Sequence, residues 1–249
     1  ENSKSPVVVS VPLKQKPFGV NLYGFAFGEL GIGEDLRMAV AVCESAGIPY
    51  RVVNINAGQG LRQGDSALTQ HVENSITQAP YAINIFCLPA FDMVSRIFLK
   101  MGAEIFEDHY NIGWWPWELG TWPKSWGQVF DLVDEVWSGS SFSLETYQKH
   151  TLKPCFLMPL AASVERGKTY ARKHFGLPKT PFLFLYVFDF NSSLSRKNPH
   201  ALVEAFKLSF TASDRSVGLV LKIMNVSDDD SRWLEFKALC ATDSRIHIL

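Results

Sequence analysis

The stretch Phe18-Gly-Val-Asn-Leu-Tyr-Gly24-Phe-Ala-Phe-Gly28-Glu-Leu-Gly31-Ile-Gly33-Glu-Asp-Leu36 decides the fold class. An apolar run from Phe18 to Phe25 reads as a strand, and the glycines that follow break it. From Gly33 to Ala46 the apolar residues Leu36, Ala39, Val40 and Cys43 recur at helical spacing. Gly47 stands where a C-cap glycine belongs, and Ile48-Pro49 ends the helix before a second strand, Tyr50 to Ile55. Strand, tight turn, helix, strand is the repeating unit of a parallel sheet with crossover helices.

Working outward, the same alternation continues. Tyr81 to Leu88, Asn111 to Trp117, Glu135 to Ser140 and Cys155 to Leu160 read as short buried strands. Ser141 is the expected N-cap of a helix running towards His150, and the polar residues 56–80 read as loop. Residues 161–180 are charged and irregular, which puts a domain boundary there, with expected domains 1–165 and 166–249. A second run then begins: strand Phe182 to Phe190, helix Pro199 to Phe210, strand Val217 to Asn225, helix Asp230 to Ala241 and strand Arg245 to Leu249. The fold class is therefore α/β, a Rossmann-like domain followed by strands 1–3 of a second. A doubly wound sheet commonly runs 3-2-1-4-5-6 with its ligand crevice between strands 1 and 4. Only one wall of that crevice is in the second run. A half-sheet of about 70 residues with a bare edge is marginal alone and is expected to pack on the first domain or on another chain.

The 249 residues are 47% hydrophobic and carry a formal net charge of -1, so no global field draws in nucleic acid or an anionic membrane. The four cysteines show no CxxC spacing and fit a reducing, cytoplasmic setting. There is no signal pattern and no apolar run near the ~18 residues of a membrane span. The histidines lack metal-ligand spacing, Asp228-Asp229-Asp230 reads as a solvated turn, and no P-loop, EF-hand or Gly-x-Ser-x-Gly elbow is present. No metal or cofactor is expected.

Three segments can carry chemistry. Gly31-Ile32-Gly33 opens a helix, so backbone N–H groups and the helix dipole there can hold an anion, or can simply make a tight turn. As a dinucleotide fingerprint the segment fails, because position 36 is Leu36 and strand two ends without an acid. In Gly113-Trp-Trp115-Pro-Trp117-Glu118-Leu119, five of the seven tryptophans begin to gather, all between 114 and 126. Trp115 and Trp117 are candidates for stacking on sugar rings, and Glu118, partly desolvated among them, for proton exchange with a hydroxyl. The plain alternative is an aromatic plug with Glu118 capping a helix. In Asp189-Phe-Asn-Ser-Ser-Leu-Ser-Arg196-Lys197-Asn198-Pro199, a cation pair at a helix start makes a diphosphate site, against the alternative of a solvated basic turn. Lys222 lies on an apolar strand, where a lone lysine ordinarily faces solvent.

These segments, in this order, resemble the family 4 glycosyltransferases of the GT-B fold. Gly31-Ile-Gly33 is similar to the family's glycine-rich acceptor-side loop. The run Phe184 to Phe190, Ser195-Arg196-Lys197-Asn198-Pro199 and Ala205-Phe206 is similar to its donor-side basic segment. Trp117-Glu118-Leu119 with Asp134-Glu135-Val136-Trp137-Ser138-Gly139-Ser140 resembles a bacterial polysaccharide-assembly branch. The resemblance implies transfer of a sugar, with retention, from GDP-mannose or a UDP-sugar to a glycan or lipid-linked acceptor in polysaccharide or lipopolysaccharide synthesis. Asp189, Arg196 and Lys197 would hold the diphosphate, with the cation pair neutralising the leaving group in place of a metal. Peripheral membrane association at the inner face of the cytoplasmic membrane goes with such a role. Two departures stand out. The family's acceptor-side histidine is replaced by Trp117-Glu118, and no glutamate has a second glutamate eight positions on, where the family has a Glu-x7-Glu pair. The resemblance places that pair beyond Leu249, so a C-terminally truncated, catalytically silent chain is expected. The competing readings are a nucleotide-sugar epimerase on the same scaffold, and a non-enzymatic carbohydrate-binding module using the tryptophans. A dinucleotide-dependent oxidoreductase ranks last.

Overall fold

A computed structural model describes residues 16–56, 58, 62–72, 79–162 and 167–249. The chain divides into two compact units, Glu1–Val164 and Glu165–Leu249.

The first unit is a doubly wound sheet. Its strands are β1 (Val20–Gly24), β2 (Tyr50–Asn54), β3 (Ile83–Phe86), β4 (Tyr110–Trp114), β5 (Glu135–Ser138) and β6 (Cys155–Leu157). They lie in the order β2-β1-β3-β4-β5-β6, and every pair is parallel. The order reverses between β1 and β3, a 2-1-3 start in place of the 3-2-1 start common in such sheets. Side chains alternate across the pleat, and both faces are covered, which is why the strands read as nearly continuous apolar runs. On one face Val20, Leu22, Val52 and Ile85 meet Leu36, Ala39, Val40 and Cys43 of helix α1 (Gly31–Ala46). On the other, Tyr23, Val53 and Phe86 meet Met93 and Ile97 of helix α2 (residues 90–101), joined by Trp115, Trp122, Phe130 and Tyr147.

Local chemistry sets the element ends. Helix α1 closes at Gly47, left-handed at φ 64°, with Ile48 N–H reaching back to the Cys43 carbonyl at 2.9 Å, as the glycine predicts. Ser140, one residue before the expected Ser141, caps helix α3 (Ser141–Gln148) by accepting from the Ser143 N–H. Helix α2 was not legible in the sequence: Ala90–Asp92 and Leu99–Met101 flank a π-helical stretch, Met93–Phe98. The π geometry breaks the regular spacing by which a helix is recognised. Within the expected loop 56–80, Val72 forms an isolated parallel bridge with Val52. Part of that loop falls outside the described residues.

The second unit is a smaller parallel sheet, β7 (Phe182–Asp189), β8 (Val217–Met224) and β9 (Ile246–Ile248), in the order β7-β8-β9. That is the 3-2-1 half of a Rossmann sheet, as the sequence predicts. Helices α4 (Pro199–Ser209) and α5 (Ser231–Ala241) pack on one face, where Val203, Phe206, Trp233 and Phe236 meet Phe188, Leu219, Leu221 and Ile223. Leu185 and Val187 alternate with Tyr186 and Phe188 along β7 and are exposed. Arg245 is buried, paired with Asp243 at 2.7 Å, and donates to the carbonyls of Phe210, Thr211 and Asp214, so it binds the entry of β9 to the end of α4.

Candidate functional site

Ligands of doubly wound sheets collect at the C-terminal ends of the strands, where the order reverses. In the first unit that edge is built around close backbone approaches. A Cβ at Gly24 would stand 3.1 Å from the Cys87 carbonyl and 3.2 Å from Leu36, so a small residue there lets α1 lie tight against β1 and β3. A Cβ at Gly33 would overlap the Gly28 carbonyl oxygen, whereas one at Gly31 would meet open space. The two glycines of Gly31-Ile32-Gly33 therefore differ: Gly33 is a packing requirement, and Gly31 stands exposed at the open end of the helix.

Carboxylates surround this turn. Glu34 pairs with Arg37 at 2.7 Å, Arg37 also reaches Asp65 at 3.2 Å, and Glu29 pairs with Arg62 at 3.2 Å. Asp35 is different. It makes no hydrogen bond or ion pair with the described residues. It lines a cleft of about 40 Å³ with Trp114, Trp115, Pro116, Gly139 and Leu160. Burial raises its carboxyl to about 6, the Glu34 charge adds to the rise, and Arg37 opposes it. Burial also pushes up the thiol of Cys87, just past β3, and the charge of Asp35 adds to the rise.

The tryptophan segment needs a correction. Trp115 is 1% exposed, with its ring 6.1 Å from that of Trp122 at an interplanar angle of 18° and edge-on to Tyr147. Tyr147 Oη donates to the Trp115 carbonyl at 2.9 Å. A ring so enclosed has no face for a sugar, and Trp115 is core. Trp117 is half-buried, 4.6 Å from the Trp122 ring, and its Nε1 donates to the Thr121 carbonyl. Most of the cluster is the aromatic plug, because Phe130, Tyr147 and α2 need large apolar partners on that face. Glu118 is exposed. The desolvated carboxylate expected at Glu118 is found at Asp35, which the sequence reading missed. Its only sequence signal was an acid one turn inside a helix that follows a glycine-rich strand end.

In the second unit, Asp189, Arg196 and Lys197 all lie on the segment leaving the C-terminal end of β7. Asp189 Oδ1 accepts from Asn225 Nδ2 at 3.0 Å and from the Asn191 N–H at 2.9 Å, joining the ends of β7 and β8. Arg196 and Lys197 close a single helical turn, Leu194–Lys197, one step upstream of the expected helix start. Asn198, left-handed at φ 48°, accepts from the Ala201 N–H and caps α4, with Pro199 in its first turn. Arg196 is exposed, its Nη2 3.1 Å from Ser192 Oγ, and Tyr186 Oη donates to the Lys197 carbonyl at 2.6 Å. Lys222 is exposed on β8. Among the described residues no cluster of three His, Cys, Asp or Glu is placed to hold a metal ion, and no described helix is long and apolar enough to cross a membrane.

Solved structures share this architecture. The Anabaena protein Alr3699/HepE, in complex with UDP-glucose, superposes with a TM-score of 0.53 at 12% identity, over 93% of this chain and 68% of its own. The lipopolysaccharide outer core galactosyltransferase WaaB, in its apo form, gives 0.54 at 11% identity, over 92% of this chain and 66% of its own. The chain has the GT-B type of α/β fold. It spans about two thirds of the length of these two structures. No protein-family model matches it, and no curated protein does.

Proposed function

We propose that this chain belongs to a retaining glycosyltransferase that moves a sugar from a nucleoside diphosphate donor to a glycan or lipid-linked acceptor. The observation that carries the reading is the position of Arg196 and Lys197, on the turn that leaves the C-terminal end of β7 and precedes the α4 cap. A planar guanidinium and an ammonium side by side there suit a diphosphate, and they stabilise the charge that grows on it as the sugar leaves. That UDP-glucose is bound in one structure of the same fold favours a UDP-sugar over GDP-mannose as donor. The burial of Trp115 weighs against the alternative of a tryptophan-lined carbohydrate-binding module.

Calorimetric titration with UDP, UDP-glucose, GDP and GDP-mannose tests this. Binding of one nucleotide class is expected, weakened about tenfold or more when Arg196→Ala is combined with Lys197→Ala, since each removes a charge-assisted contact. Binding untouched by the double substitution would remove the diphosphate role from this pair.

A further inference from the structure

Among the described residues none hydrogen-bonds to Asp35 or forms an ion pair with it, and only the more distant charge of Arg37 favours its ionised form. A half-buried carboxylate beside apolar side chains loses part of its hydration, and a hydrogen-bond donor brought to it restores what was lost. Elsewhere around the turn the acids are matched: Glu29 has Arg62, and Glu34 has Arg37. Asp35 instead borders a cleft lined by Trp114, Trp115 and Pro116 where the chain leaves β4, and by Gly139 and Leu160. Its cause is topological. Asp35 lies one turn into α1, and Gly24 lets α1 sit against the ends of β1 and β3. The ends of β4 and β5 supply the remaining walls.

We propose that this cleft is an acceptor subsite in which the carboxylate of Asp35 receives the hydrogen bond of a sugar hydroxyl. The inference rests on the glycosyltransferase reading for the word acceptor. The subsite itself rests on the cleft. Its size admits a hydroxyl-bearing arm and excludes a whole ring, so the ring lies at the mouth, against the exposed Pro116 and Leu160. An apolar wall with one acid favours a neutral donor such as O–H over a metal ion, which would need several oxygen ligands. Among the described residues the charges of Glu34 and Arg37 on α1 act on Asp35, and Asp35 in turn acts on the neutral thiol of Cys87 past β3.

The test is a titration of the chain with methyl α-glucoside, methyl α-galactoside and methyl α-mannoside, followed by tryptophan fluorescence, since Trp114 lines the cleft on the α1 face of the sheet. UDP is titrated separately. One glycoside is expected to bind, and Asp35→Asn to weaken it about tenfold or more, the usual scale for a hydrogen bond to a charged group. UDP binding is expected to be unchanged. Leu160→Trp, which fills the mouth and leaves the carboxylate in place, is expected to cause the same loss and covers the case of a misfolded Asp35→Asn. In the wild type the affinity should also fall as the carboxyl is protonated below about pH 6, and this dependence should vanish in Asp35→Asn. Glycoside binding that ignores both substitutions, or no glycoside binding at all, overturns the subsite, whatever UDP does. Glycoside binding lost in both variants without any UDP binding supports the subsite while the glycosyltransferase reading fails.

Discussion

Asn21 and Asn84 stand opposite each other on β1 and β3, both with no solvent exposure, and Nδ2 of Asn21 donates to Oδ1 of Asn84 at 2.9 Å. The relationship repeats one strand further on, where Asn84 Nδ2 donates to Asn111 Oδ1 at 3.0 Å. The remaining donors go to backbone: Asn21 to Tyr81, Asn84 to Ile105 and Asn111 to Phe106. A fully matched polar row in a low-dielectric layer fixes strand register, because a slip would leave several buried amides unpaired. Asn84→Ala removes the middle member and strands an amide on each side. The expected loss is about 3 kcal/mol or more, seen as a lower urea midpoint at an unchanged slope. A loss below about 1 kcal/mol would mean that water or repacking replaces the row.

Much of this fold was legible because its strands are buried on both faces. Runs such as Tyr81 to Leu88, punctuated by glycine and proline, have few other readings. What was lost lies where regular spacing fails. Helix α2 carries a π-helical middle, and its Phe91 and Leu99 are exposed apolar residues that blur any helical face. The site was harder still. Trp115 and Trp117 look alike in sequence, and only packing against Trp122 and Tyr147 separates a core ring from a half-open one. Asp35 escaped notice because a carboxylate near a helix start is ordinarily a solvated, dipole-favoured residue. Its desolvation comes from β4 and β5, about 80 and 100 residues away, and no local pattern reports that.

Gly31 and Gly33 should respond oppositely to alanine. At Gly33 the new Cβ would overlap the Gly28 carbonyl, backbone that cannot swing aside, so the first turn of α1 must shift. A loss of about 1–3 kcal/mol is expected, on the scale of other overpacking substitutions. At Gly31 the Cβ meets nothing, and alanine gains up to about 0.5 kcal/mol by reducing unfolded-chain entropy. Thermal denaturation of the two variants decides it. Equal destabilisation by both would show that the whole turn, and not the Gly28–Gly33 approach, sets the requirement.

Trp115→Ala should behave as a core truncation. The ring is enclosed by Trp122, Phe130 and Tyr147, so a loss of about 3–5 kcal/mol is expected. Trp115→Phe should be much milder, because the buried indole Nε1 has no hydrogen-bond partner among the described residues, so its removal costs no bond there. If the alanine variant stayed as stable as the wild type, the ring would be a surface platform after all.

Asp35 also makes a prediction about stability that is independent of any ligand. Its carboxyl titrates near 6 in the folded chain, against about 4 when unfolded. Below about pH 4 both states hold the proton, and the residue costs nothing. Between about pH 4 and pH 6 the folded state binds more protons than the unfolded one, so stability falls as pH rises through this window. Above it the penalty is complete. Asp35→Asn removes the penalty, so the variant should be more stable than the wild type at neutral pH. The expected gain is about 1–2 kcal/mol, reduced from the full shift because the group is partly open to solvent. The difference should close as the pH is lowered to about 4. Urea midpoints of both proteins across this range give the measurement. A carboxylate retained at the expense of stability is what a binding group predicts, since function commonly sets such residues against the fold. A variant no more stable than wild type at neutral pH would mean that Asp35 is satisfied in solution, and the case for a vacant hydrogen-bond acceptor in the cleft would go with it.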